Sequence, residues 1–196
     1  MIFRLGLTGS IGMGKSTTAR LFAEAGCDVW DADAAVHRLY AAGGAAVGPM
    51  RAAFPQAIEE GAVSRDALKQ IIGENPNSLK QIEAIVHPLV AEDRAAFAKT
   101  ASSDILVLDI PLLFETGGDA GMDAVAVVSI DAQEQRRRVL ERGTMTEAQF
   151  DAILAKQVSD AEKRAKADYV ILTDTVEHAR RQVQDVVADI REKMHA

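Results

Sequence analysis

Short apolar runs alternate along this chain with stretches of helical period. Ile2 to Thr8 is compact and largely apolar, as a buried strand would be. Thr17 to Ala25 then reads as a helix, with Gly26 placed to end it. Cys27 to Asp31 suits a second strand, and Ala34 to Ala41 a second helix. The glycine-rich segment Ala42 to Gly48 reads as a connection between helices. From Pro49 to about Thr100 the pattern offers helices and no good strand. Ser64 caps a run ending at Gly73, and Leu79, Ile82, Ile85 and Val86 recur at helical spacing. Pro88 should break that run and start a new helix, with His87 just before it and Leu89, Val90, Ala96 and Phe97 continuing the apolar face.

Strand patterns then return. Ile105 to Asp109 and Ala124 to Ile130 are continuous apolar runs, each followed or closed by an aspartate. An arginine-rich helix carries Arg136, Arg137, Arg138 and Arg142 and breaks at Gly143. Thr146 to about Lys156 and Asp160 to Lys166 form two short helices with thin apolar faces. Asp168 to Leu172 is the last strand, and the closing helix presents Val176, Ala179, Val183, Val186, Val187, Ile190 and Met194 on one face. The order predicts an α/β fold: a parallel five-stranded sheet flanked by helices, with a helical insertion. Residues 1–33, 101–135 and 167–196 would build the core, 34–100 a substrate-side subdomain, and 136–166 a lid. The lid buries little and should move easily.

A chain of 196 residues holds one sizeable core with inserted subdomains. Its net charge of −7 argues against a general nucleic-acid or anionic-membrane surface. Cys27 is the sole cysteine, which excludes an internal disulfide and leaves it as a buried small hydrophobe. No signal-peptide pattern or membrane-length apolar run is present, so a reduced cytoplasmic protein is expected.

The chemistry enters between the first strand and the first helix. Gly9-Ser10-Ile11-Gly12-Met13-Gly14-Lys15-Ser16-Thr17 matches G-x-x-x-x-G-K-[ST] in full. Converging backbone N–H groups need a loop of little bulk, which the glycines allow. Lys15 would reach the β- and γ-phosphates, Ser16 would ligate Mg²⁺, and the helix start would aim its positive end at the same anion. Strand, glycine loop, helix is the required order, and it implies binding of a nucleoside triphosphate. The bland alternative is a glycine-rich turn with an incidental Lys-Ser.

Other candidates follow from placement. Asp31 and Asp33 stand at the end of the second strand, where one can cap the next helix and the pair could meet Mg²⁺ or orient a hydroxyl. Asp109 can help hold Mg²⁺ or serve as a turn residue. Ile110 to Glu115 would be a costly apolar patch if exposed, and should line a pocket or pack on the insertion. His87 reads as a helix-start residue before a catalytic one. Arg136 to Arg138 suit a solvated face, and Arg142, at the helix break, suits delivery to the phosphates.

Taken together these motifs resemble one family, the dephospho-coenzyme A kinases. The likeness runs from the Gly9–Thr17 loop through Asp31-Ala32-Asp33, His87-Pro88-Leu89-Val90 and Pro111-Leu112-Leu113-Phe114-Glu115. It continues in Arg142, Gln157 and Ala167-Asp168-Tyr169-Val170-Ile171. The resemblance implies a P-loop NTPase-type core that transfers the ATP γ-phosphate to the ribose 3′-hydroxyl of dephospho-coenzyme A. Asp33 would meet that hydroxyl, the insertion with His87 and Pro111 to Glu115 would hold the acceptor, and Arg142 would reach the phosphates. Gly143 replaces an aspartate of many members, and Leu172-Thr173-Asp174 replaces an Asp-Asn pair. A GTPase-like switch would carry an Asn-Lys-x-Asp motif, which is absent; an assembly ATPase fits the acidic charge and short length poorly. A nucleoside monophosphate kinase is the alternative within small-molecule kinases. A monomer is the favoured oligomeric state.

Overall fold

The computed structural model describes residues 2–195. In chain order the elements are β1 (Phe3–Thr8), α1 (Lys15–Glu24), β2 (Asp28–Asp31), α2 (Ala32–Tyr40), α3 (Val47–Ala53), β3 (Ile58–Glu59), β4 (Ala62–Val63), α4 (Arg65–Glu74), α5 (Ser78–Thr100), β5 (Ile105–Asp109), β6 (Ala124–Ser129), α6 (Ala132–Glu141), α7 (Glu147–Leu154), α8 (Asp160–Lys166), β7 (Tyr169–Leu172) and α9 (Val176–His195). Two compact units result: Met1–Trp30 with Ala101–Ala196, and Asp31–Thr100.

The first unit is built on a five-stranded sheet in the order β2-β5-β1-β6-β7. β1 lies parallel between β5 and β6, and β7 is parallel to β6. Both faces are covered, which is why these strands read as continuous apolar runs. Along β6 the period of two sends Ala124, Ala126 and Val128 into one core and Val125 and Val127 into another. The first core is filled by Leu21 and Phe22 of α1 and Val183, Val187 and Ile190 of α9. The second includes Leu113, with Ile110, Phe114 and Met122 against it. So Leu113 packs back onto its own sheet, while Leu112 stays exposed at 44%. Cys27 is buried, and burial pushes its thiol up to about 11, as suits a small hydrophobe.

Gly26 ends α1 as expected. At φ 87° it donates to Ala23, and Cys27 donates to Phe22, the paired bonds of a left-handed C-cap. At the far edge, the Asp28 carboxylate accepts from Ser102 N–H and Ser103 N–H, each at 2.7 Å. The chain therefore leaves this unit and returns to it at neighbouring points.

The second unit has its own core of Leu39, Met50, Phe54, Leu68, Ile71, Ile82 and Val86. Arg38 of α2 is held to Asp93 of α5 at 2.6 Å. Two expectations fail here. A small antiparallel hairpin, β3 with β4, pairs Ile58 with Val63 and Glu59 with Ala62. Its turn is Glu60-Gly61, both with positive φ, the geometry that fits hairpin twist. Second, Pro88 does not start a helix but lies inside α5. An interior proline forfeits one backbone bond and clashes with the preceding turn, at a cost of about 3 kcal/mol. Here the residues on both sides, Ile82 and Val86 before it and Leu89 and Val90 after it, pack on one core and keep the helix whole.

Candidate nucleotide site

The phosphate loop joins β1 to α1 in the first unit. Its glycines answer to sterics at two points. A Cβ on Gly9 would stand 2.3 Å from Val128 Cγ2, and one on Gly12 would stand 2.4 Å from Val139 Cγ2, with Gly12 itself at φ 78°. Met13 turns its side chain into the core at 2% exposure and accepts the Ile130 N–H at sulfur. Helix α1 begins at Lys15 with no side-chain cap, and its first internal bond is Thr18 N–H to Gly14. The N–H groups of that first turn thus face a ligand position with the positive helix end behind them.

Lys15 is paired with the Asp109 carboxylate, which is buried at 2% exposure at the end of β5. The register that sets Leu7 beside Asp109 brings this carboxylate next to the loop. Ser16 is exposed, and its hydroxyl makes no hydrogen bond to the described residues.

Beside the loop is a cavity of about 280 Å³. Gly12, Gly14, Thr17 and Thr18 form one side, Arg138 and Arg142 another, and Thr173 to Val176 with Ala179 the rest. Arg142, the residue that closes α6, is exposed and has no ion pair among the described residues. The sequence pattern groups Arg138 with Arg136 and Arg137 as a solvated face, and the structure separates them. Arg136 pairs with Glu147 and Asp151, and Arg137 with Glu134 and Glu141, all at the surface. Arg138 instead enters the cavity wall and donates to the Thr173 carbonyl at 2.8 Å while pairing with Glu134. Thr173 is buried, and its hydroxyl donates to the Met13 carbonyl at 2.7 Å. No periodicity marks these contacts, because the backbone carbonyls that Arg138 and Thr173 meet lie far away in the chain.

The segment expected to bury little proves better anchored. Phe150 of α7 is buried at 1% under the Arg136 guanidinium, 5.5 Å from the ring centre. Lys163 of α8 is completely buried, its ammonium 2.9 Å from Glu115 Oε1 at an angle that makes an ion pair and not a directed hydrogen bond. Glu115 Oε1 also accepts the Val158 N–H at 2.9 Å. Burial acts to raise the Glu115 carboxyl, but Lys163 and the Val158 N–H outweigh it and hold the group below its usual range. Of the remaining Pro111 to Glu115 run, the Pro111 carbonyl accepts from the Thr8 hydroxyl at 3.1 Å. Phe114 lies partly buried beneath the Lys166 ammonium.

Two of the three catalytic candidates, Lys15 and Arg142, belong to the first unit; Asp33 belongs to the second. There Asp31 is the helix cap, its carboxylate accepting Ala34 N–H at 3.0 Å. Asp33, in the first turn of α2, is exposed and unpaired among the described residues. His87 is exposed on α5, its ring equally without a hydrogen bond among them.

The profile of the family described as Dephospho-CoA kinase matches residues 3–178. The chain belongs to the dephospho-CoA kinase family. A family relative, the dephospho-CoA kinase of Ruegeria pomeroyi, is 69% identical over 191 residues, covering 97% of each chain. Among solved structures, a protein from Thermus thermophilus superposes with a TM-score of 0.86 at 29% identity, over 96% of this chain and 97% of that one. The dephospho-CoA kinase of Campylobacter jejuni has the same fold, with a TM-score of 0.70 at 24% identity over 98% and 99% of the two chains. As a member of the dephospho-CoA kinase family the chain is a kinase, and its sheet, loop and flanking helices are those of P-loop kinases. Among the described residues no helix is long and apolar enough to cross a membrane.

Proposed function

We propose that this chain transfers the γ-phosphoryl group of ATP to the ribose 3′-hydroxyl of dephospho-coenzyme A, giving coenzyme A and ADP. The observation that carries the reading is the uncapped start of α1 beside Lys15, in a chain matched over nearly its whole length to dephospho-CoA kinases. The bond from the 3′-oxygen to phosphorus forms as the bond from phosphorus to the β,γ-bridging oxygen breaks. ADP leaves with that oxygen, and the hydroxyl proton passes to Asp33.

In this reading Gly9 to Thr17 hold the triphosphate and Lys15 reaches the β- and γ-phosphates. Arg142, unpaired at the cavity wall, stabilises charge on the transferring group. A ribose hydroxyl is far too weak an acid for a side-chain carboxylate to ionise it early. Asp33 therefore orients it and takes the proton late, as suits a loose transition state. His87, Pro111, Leu112 and Phe114 serve the acceptor side, while Leu113, expected to join them, packs into the sheet core and Glu115 acts through the segment it anchors. Of residues 136–166, the part ahead of the anchored turn at Gln157 closes over the phosphates.

Mg²⁺ fits the residues present. Ser16 offers a hydroxyl without a protein partner among the described residues, Asp109 offers a carboxylate held by the neighbouring Lys15, and Mg²⁺ usually takes only one or two protein groups besides phosphate and water. When bound it neutralises charge on the β- and γ-oxygens. We infer a cytoplasmic enzyme that acts as a monomer on small molecules, in keeping with its acidic balance.

The test is ATP consumption by purified protein across candidate acceptors. Dephospho-coenzyme A should be preferred over AMP, CMP and shikimate, with coenzyme A as product. Faster turnover with a nucleoside monophosphate would overturn the assignment.

A further inference from the structure

Within the phosphate loop, Ile11 is gripped on both sides of its backbone. Its N–H donates to Gln157 Oε1 at 3.3 Å, and its carbonyl accepts from Gln135 Nε2 at 2.8 Å. The backbone fixes the two amides' roles, because an N–H can meet only an acceptor and a carbonyl only a donor. The peptide planes before and after Ile11 are thereby set, just ahead of Gly12 with its positive φ. Two residues on, the Met13 carbonyl takes the Thr173 hydroxyl. Side chains from three separate elements thus hold a loop whose own backbone has only a Met13 N–H to Ser10 bond within it.

Neither glutamine is placed by chance. Gln135 is 4% exposed on the inner face of α6, a costly position for an amide without a partner. Gln157 lies in the turn between α7 and α8. The next residue is fastened by the Glu115 carboxylate, Lys163 pairs with that same carboxylate, and Asp160 Oδ2 accepts from the Ser129 hydroxyl at 2.8 Å. Three ties thus bind this turn and the start of α8 to Glu115 and to the end of β6.

We propose that Gln135 and Gln157 are positioning residues that hold the phosphate loop in its anion-receiving shape before ATP arrives. The turn carrying Gln157 consequently belongs to the fixed base of the site, and motion of a lid is confined to residues before it. A loop already shaped loses less freedom on binding, so the gain appears in ATP affinity. This inference rests on the loop's binding of ATP and not on the identity of the acceptor, so direct ATP binding without acceptor tests it separately.

The experiment compares Gln157→Met, which keeps the length but loses the strong acceptor, with Gln157→Glu, which keeps the acceptor. Ile11 amide exchange and ATP dissociation constants are measured at raised salt to screen the added charge. Gln157→Met should lose Ile11 protection and bind ATP roughly three- to tenfold more weakly, the worth of one net hydrogen bond. Gln157→Glu should keep the protection. Gln135→Met and Gln135→Glu should both weaken ATP binding, since neither side chain donates, and thermal unfolding reports whether they fold. Should the Gln135 variants fail to fold, the Gln157 pair decides. Unchanged Ile11 protection in Gln157→Met, or lost protection with unchanged ATP affinity, would overturn the proposal.

Discussion

Lys15 and Asp109 form an ion pair at the mouth of the phosphate loop, with the carboxylate buried and the lysine nearly so. The lysine thus serves the fold through this pair, contrary to the picture of an exposed loop cation that the motif alone suggests. Lys15→Met should reduce turnover by roughly 10²–10³, the scale of one electrostatic contact to a developing charge. It should also lower stability by about 1.5–3 kcal/mol, the worth of a hydrogen bond to a charged group. Steady-state kinetics and urea unfolding read the two effects independently.

The two aspartates at the start of α2 should separate cleanly. Asp31→Ala removes a cap, costing about 1 kcal/mol of stability with kcat little changed. Asp33→Asn leaves the cap intact, and should leave binding of ATP and dephospho-coenzyme A within about tenfold while turnover falls by roughly 10²–10⁴. Full activity in Asp33→Asn would reduce that residue to a first-turn charge favouring the helix dipole.

The arginines of α6 give a graded series. Arg142→Ala should lower kcat far more than it raises the KM for dephospho-coenzyme A, because its charge matters most in the closed transition-state complex. Arg137→Ala should keep activity within about twofold, since its surface pairs with Glu134 and Glu141 are of the kind that contributes little. Equal losses from the two would mean that the wrong arginine has been assigned to the phosphates.

Lys163 and Glu115 carry a pH prediction. Glu115 has its pKa lowered in the folded protein, so its contribution is complete above the ordinary glutamate pKa, about 4.3. That contribution is lost as the pH falls through the folded value. Lys163→Met leaves a largely buried carboxylate without its cation, and should destabilise the protein at pH 7 by about 3 kcal/mol. The gap between variant and wild type should narrow as the pH falls through the range in which Glu115 takes up its proton, first in the variant and then in the wild type. A gap independent of pH would assign the loss to packing alone.

What could be read from the sequence was whatever depends on period and local chemistry. The strands were legible because both sheet faces are covered and each strand is an unbroken apolar run. The loop was legible because its glycines answer to backbone geometry. The β3–β4 hairpin was not, since two-residue strands carry no period and its turn includes a non-glycine residue, Glu60, at positive φ. Pro88 misled because a local rule for proline was overridden by packing on both sides of it. Arg138, Thr173 and Lys163 were illegible for a common reason. Each is placed by a contact distant in sequence, Arg138 by the Thr173 carbonyl, Thr173 by the Met13 carbonyl and Lys163 by Glu115, and no local period reports such a contact.

The Asp28 carboxylate, by accepting from Ser102 and Ser103, brings together the two points where the chain departs from the first unit and rejoins it. Residues 31–100 are therefore a cassette: one uninterrupted stretch with a private core, spliced between adjacent sockets. An enzyme assembled this way can exchange what it recognises without rebuilding how it handles phosphate. A chain in which a short glycine-serine linker bridges Trp30 to Ala101 should still be protected by ATP against heat, while losing all transfer to dephospho-coenzyme A.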